Sequence, residues 1–317
     1  MTNLAEPSPV HGKARQPATG YLLYLGAAAL FAINGIVAKS IMLTGMDASR
    51  LSQLRVSFAF VVLLVFFAVW RPSRLRLHRS EIGLLLGYGI AGLAMTQWAY
   101  FMSLRTLPVG LALLIEFTAP IMVALWFRFG LKQPVRNVVW IALVVALAGL
   151  AAVAQIWQGF TLDSKGVAFA FMAAVALAIF YVLGDAQMRR PDARDPGSLT
   201  MWAFGAGAAF WAVVQPWWSF PWEALTVPSP PLGDPGVSLP VWVLSIWMVL
   251  LGTVLPFWLV LASLAYLRAS QASVVGMTEP LIAIAIAWIV LGESMSAIQM
   301  VGALLVLGGV LLAERSR

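Results

Sequence analysis

Apolar residues run along most of this chain in blocks, each close to the roughly 20 residues that carry an α-helix across a hydrocarbon layer of about 30 Å. Ten such blocks stand out, near residues 20–42, 51–70, 82–103, 108–128, 136–156, 165–188, 198–218, 240–263, 270–291 and 297–313. Short polar stretches holding Pro, Gly or Arg separate them, which predicts an all-α membrane protein of ten transmembrane helices. Two stretches break the rhythm. Residues 1–19 are polar and contain proline, so they predict a cytoplasmic tail, with the run from Tyr21 as an uncleaved first helix. The Pro-rich stretch 219–240 predicts an extended loop between the seventh and eighth helices.

The blocks also repeat. A shift of 160 residues lays Gly92–Gly149 on Gly252–Gly309 without a gap, matching Trp98 to Trp258, Ser103 to Ser263, Leu107 to Leu267, Ala112 to Ala272, Thr118 to Thr278 and Pro120 to Pro280. Nearer the front of each half the best shift is 146, which lays Gly20, Ala27, Ala28, Ala32 and Ile33 on Gly166, Ala173, Ala174, Ala178 and Ile179. The chain therefore divides into repeats at 20–156 and 157–317, with the extra residues of the second falling in the Pro-rich loop. A repeat with an odd number of helices enters the membrane the second time upside down. Inverted repeats of this kind favour alternating access around a shared central site.

Composition removes the soluble alternative. The chain is 61% hydrophobic and only 10% charged, with a mean hydropathy of +0.89, whereas soluble chains carry about 25% charged residues. The net charge of +7 would suit nucleic acid, but the cations lie in short clusters between apolar runs and form no continuous stripe. They serve topology instead. With the amino terminus in the cytoplasm, fifteen Lys and Arg fall inside, among them Arg71, Arg74, Arg136, Arg190 and Arg268, against three outside, Arg50, Arg105 and Lys165. That bias predicts an even helix count, both termini cytoplasmic and a bacterial-type plasma membrane. There is no cysteine, and the two histidines, His11 and His78, lie in the tail and a loop, so neither a metal nor a cofactor is expected. No phosphate-binding Walker sequence is present, which argues against ATP hydrolysis.

The stretches MSLRTLPVGLALLIEFTAPIMVALW from Met102 and ASLAYLRASQASVVGMTEPLIAIAIAWIVLGE from Ala262, set in a five-plus-five duplication, resemble the EamA-type transporters of the drug/metabolite transporter superfamily. The Gly292–Glu293 ending is part of that likeness, and Glu116–Pro120 is similar to the threonine and homoserine exporters. The resemblance implies a cavity lined by the first, third, fourth, sixth, eighth and ninth helices, with the fifth and tenth at one edge. It also implies a secondary carrier exporting amino acids or related metabolites, by proton coupling or exchange, as a monomer or homodimer among membrane lipids. A membrane enzyme acting on lipid-linked substrates, or a carrier for drugs or nucleotide-type metabolites, are the alternatives.

Ionisable groups inside a membrane cost roughly 2.5–3.5 kcal/mol each near a helix centre, so those retained are candidates for function. They are Lys39, Arg55, Glu116, Asp185 and Glu279. Glu116 and Glu279 both approach the midplane, and under the 160 shift Glu279 replaces Ala119, three residues after Glu116 and on the same helical face. Two carboxylates facing one cavity suit a substrate ammonium or a transported proton; each can also be a structural acid bonded to a neighbouring helix. Arg55 can hold a substrate carboxylate or pair with Glu116. Lys39 and Asp185 can be functional or snorkel to the interface. Asn34, Gln97, Tyr100, Thr118, Tyr181 and Thr278 complete the candidate set as neutral hydrogen-bonding groups.

Overall fold

The structure, a computed structural model, describes residues 17–107, 109–153, 155–158, 163–190, 193–230, 238–282, 285–286 and 296–314. The tail through residue 16, residues 231–237 of the loop, and the end of the ninth apolar run at 287–295 with Gly292 and Glu293 lie outside the described residues. Helices occupy the apolar runs in order: α1 Pro17–Leu43, α2 Ala48–Trp70, α3 Glu81–Ser103, α4 Leu111–Gly130, α5 Asn137–Val153, α6 Ser164–Met188, α7 Pro196–Val214, α8 Val241–Leu264, α9 Ala269–Gly276 and α10 Ala297–Glu314. Among the described residues seven of these, α1 to α4 and α6 to α8, are long and apolar enough to cross a membrane, while α5 and α10 are shorter apolar helices.

The ends of the helices follow from local chemistry. Asp47, Asp163 and Asp195 accept hydrogen bonds from the backbone N–H groups of Ser49, Gly166 and Ser198, capping α2, α6 and α7 at 2.8, 2.8 and 3.0 Å. Helix α7 stops at Val214, short of the 218 its apolar run suggested, because Pro216 drives Gln215 into an extended conformation. Beyond it the chain makes short 3₁₀ turns at Trp217–Ser219 and Trp222–Thr226, then pairs β1 (Pro228–Ser229) antiparallel with β2 (Leu239–Pro240). The expected loop is thus partly ordered and anchored: Ser229 is buried and donates to the Ser40 carbonyl at the end of α1.

Helices α5 and α10 pack on each other and, through α4 and α9, on the rest of the bundle. Their closest approach is at Gly149 and Gly302, where a Cβ on either would lie within 2.7 Å of the other's carbonyl oxygen. Only glycine permits that distance, as small residues do at helix contacts in lipid. Elsewhere α2 packs on α7, α1 on α8, and α3 on α6. Leu22, Val144, Val213 and Leu304, all exposed, turn outward where lipid would meet them.

The helices around the centre are irregular, and the irregularities recur. Helix α3 takes π-helical geometry at Gly87–Ala94 and α8 does so at Leu250–Val254. Helix α4 breaks at Phe117–Thr118, and the α9 segment breaks at Met277–Thr278 before helix resumes at 279. The two breaks are 160 residues apart, the shift of the sequence repeat. Each precedes a proline by two residues, and at each the threonine Oγ1 donates to the carbonyl three residues back, Ile115 or Val275, at 2.7 Å.

Charged groups at one end of the bundle are paired. Arg194 donates to both carboxylate oxygens of Glu81, at 3.1 and 2.6 Å, and to the carbonyl of Arg76, tying the start of α7 to the α2–α3 connection. Asp185, one of the candidates for snorkelling, is instead buried. It accepts two bonds from Arg189 and a third from the Ala269 N–H at 3.1 Å, which caps α9.

Candidate functional site

Irregular backbone inside a membrane is tolerated where it lines a cavity or is covered by protein. The α3 π segment and residues at both breaks border one partly open cavity, around which about 730 Å³, open solvent included, is free of protein atoms. Seven of the eleven sequence candidates line it: Asn34 from α1, Arg55 from α2, Gln97 and Tyr100 from α3, Glu116 from α4, Tyr181 from α6, and Glu279 after the α9 break. The other four do not. Thr118 and Thr278 spend their hydroxyls on the turns just described, Lys39 is exposed, and Asp185 caps α9.

Arg55 is 1% exposed, and its acceptors among the described residues are all neutral. Its Nε donates to Thr253 Oγ1 at 2.5 Å, one terminal nitrogen donates to the Gly252 carbonyl at 2.7 Å, and the other donates to Gln97 Oε1. Its guanidinium also lies over the Phe101 ring, 5.7 Å from the centroid. The π segment of α8 makes this possible. Thr253 Oγ1 donates to Met248 O five residues back, at 2.8 Å, so the same hydroxyl stabilises the π turn and receives the arginine. Gly252 must be glycine because Asn34 occupies the place of its side chain: a Cβ there would lie 2.1 Å from Asn34 Oδ1. That oxygen is buried and has no hydrogen-bond partner among the described residues.

The two acids face the same space. Among the described residues neither Glu116 nor Glu279 accepts a hydrogen bond or forms an ion pair, though Arg55 and Glu279, and Glu279 and Glu116, are near enough to act on each other electrostatically. Glu116 is the last residue before the α4 break, and Glu279 the first after the α9 break. The remaining wall is aromatic. Phe257 stands edge-on to Phe31 and Phe180, at 5.1 and 5.5 Å between centroids. At one end the hydroxyls of Tyr24 and Tyr181 bond to each other beside Gly276, whose missing side chain leaves them room.

Sequence reasoning missed Tyr24, although a signal was there: Tyr24, Phe31, Asn34 and Gly35 share one face of α1 at helical spacing, and all line the cavity. It also left α2 out of the lining, where Arg55 belongs. What the assembly offers chemically is one cation, two carboxyls and an unpartnered acceptor, set among apolar and aromatic walls.

Comparison with known proteins agrees with this architecture. A solved crystal structure superposes on 94% of this chain and 98% of its own with a TM-score of 0.70 at 18% identity, a likeness of fold. The threonine/homoserine exporter RhtA of Escherichia coli is 29% identical over 277 residues, covering 84% of this chain and 80% of that protein. An uncharacterized transporter of Archaeoglobus fulgidus is 24% identical over 286 residues, covering 89% and 93%. The EamA-like transporter family matches at residues 18–155 and again at 164–314, so nearly the whole chain is two copies of one family unit. This multi-pass membrane protein belongs to the EamA-like transporter family, within the drug/metabolite transporter superfamily.

Proposed function

We propose that the chain exports threonine, homoserine or similarly small amino acids from the cytoplasm by alternating access, driven by proton antiport or exchange. The observation that carries this reading is the placing of Arg55 together with Glu116 and Glu279 in one cavity, the two acids without hydrogen-bond partners among the described residues. Arg55 would take the α-carboxylate, an acid the α-ammonium, and Asn34 Oδ1 a further donor such as a side-chain hydroxyl. The likeness to RhtA, itself a threonine/homoserine exporter, supports the same substrate class. The expected test is counterflow in proteoliposomes: labelled threonine or homoserine should accumulate saturably against internal unlabelled substrate. Movement of hydrophobic cations or nucleotides with no movement of amino acids would replace this reading with the drug or nucleotide alternative.

The cycle rests on ten crossings in two oppositely oriented halves. Support comes from the double family match and from helix breaks that recur at the repeat shift. Arginine placement orients it, with both termini cytoplasmic. Reporter fusions after His78, Arg136 and Arg190 should accordingly read cytoplasm, and fusions at Gly45, Arg105 and Gly233 the opposite face. A cytoplasmic signal at Gly233 would remove the inverted arrangement.

A further inference from the structure

On the surface of the bundle, between α2 and α8, runs a second, open hollow, bordering about 660 Å³ free of protein atoms, open solvent included, that shares no lining residue with the central cavity. Leu54, Phe58 and Val62 line it from α2, spaced four apart, and Trp242, Ser245 and Val249 line it from α8. Leu225, from the 222–226 turn, lines it as well. Phe58 and Trp242 are exposed, and the surface the groove presents is wholly apolar. From Leu54 to Val62 it follows α2 for about 12 Å at 1.5 Å per residue.

One turn beyond Leu54 on the same face of α2 stands Arg50. It donates to Ser219 Oγ at 2.7 Å, to Gln53 Oε1 at 3.0 Å and to the Pro216 carbonyl at 3.3 Å, neutral acceptors all. The nearest acid on α2, Asp47, is engaged by Arg105 at 3.5 Å and by the Ser49 N–H. The loop that Arg50 holds is the one that roofs the groove, since Trp217 packs edge-on against Phe58, 6.1 Å between centroids, and stacks on Trp222. A mostly apolar trough thus lies one turn from a cation that has no carboxylate partner among the described residues, beside indole rings of the kind that gather at membrane interfaces.

We propose that this groove is a phospholipid site, with one acyl chain along the trough and an anionic headgroup phosphate on Arg50. The guanidinium fork fits a phosphate, and the neutral bonds it now makes yield readily to a charged one. A hydrophobic cation would be repelled at the same end. The groove abuts the α2–α8 seam that Arg55 bridges to Gly252 and Thr253, so a seated chain would brace that seam from the lipid side.

Native mass spectrometry of the full chain, released from micelles containing equal phosphatidylglycerol and phosphatidylcholine, tests this. One retained lipid is expected, phosphatidylglycerol favoured about fivefold as one basic side chain near a membrane surface provides. Arg50→Gln should bring the ratio to about one. Val62→Trp, at a half-buried position facing the trough, should empty it of either lipid. Phosphatidylglycerol with brominated chains should also quench wild-type fluorescence saturably, and Trp242→Phe should remove that component. Unchanged headgroup preference in Arg50→Gln, or a lipid still retained in Val62→Trp, would overturn the site.

Discussion

Glu116→Gln and Glu279→Gln are each expected to lower amino-acid flux driven by a pH gradient by ten- to a hundredfold while leaving the protein folded. Neither carboxyl accepts a hydrogen bond among the described residues, so the amide breaks no structural contact. It removes one charge and one proton-carrying group at constant size. A charge-assisted hydrogen bond is worth about 1.5–3 kcal/mol, which corresponds to roughly that range of affinity. Exchange at equal pH on the two sides separates the roles. It survives where the residue handles only the coupling proton and vanishes where it holds the ammonium. Wild-type flux and pH dependence in both variants would make the two acids structural and move the site toward Arg55 and the neutral groups.

Arg55→Lys should weaken amino-acid binding by roughly thirtyfold or more, since disabling one partner of a buried charged pair costs about 2–5 kcal/mol. Lysine keeps the charge but has no planar fork to reach Gly252, Thr253 and Gln97 together. The informative comparison is with the amine that lacks the carboxylate: as a competitor it should bind wild type and Arg55→Lys equally. Equal weakening for amino acid and amine would mean that Arg55 fastens α2 to α8 and does not touch substrate. Arg55→Met provides the structural control. It leaves the Gly252 carbonyl and Gln97 unpaired, and should lower thermal stability in detergent by about 1–3 kcal/mol.

Much of this was legible in the residues. Apolar runs of spanning length located the helices because in lipid every backbone group must be bonded within its own segment, which ties helix to hydropathy. Pro120 and Pro280, matched in the repeat, lie two residues beyond the breaks; proline's missing N–H is a local property. Local signals misassigned Thr118 and Thr278 all the same: a hydroxyl near the midplane looks like a ligand until its own helix turn is seen to use it. Arg55 shows the converse. Its spacing on α2 indicated a cation a turn below the surface, with Glu116 or a substrate as partner. Two of its three acceptors, Gly252 and Thr253, belong to a π segment 197 and 198 residues away, and nothing in Leu-Leu-Gly-Thr-Val announces that geometry. Asp185 was misread for a related reason, because its cap on α9 depends on how two distant helices meet.

The acids that face the cavity stand at the two helix breaks, Glu116 just before one and Glu279 just after the other. On the proposed function, grip and joint are the same few residues, and this constrains how such a carrier can change over evolutionary time. A substitution near either acid that admits a new cargo also alters the bend the helix makes there, so range and cycle speed shift together. The regular stretches of α1, α6 and α8 carry Phe31, Phe180 and Phe257 away from both breaks. Descendants of this chain should broaden their diet first at those three rings, and only later, with compensation, at the carboxyls.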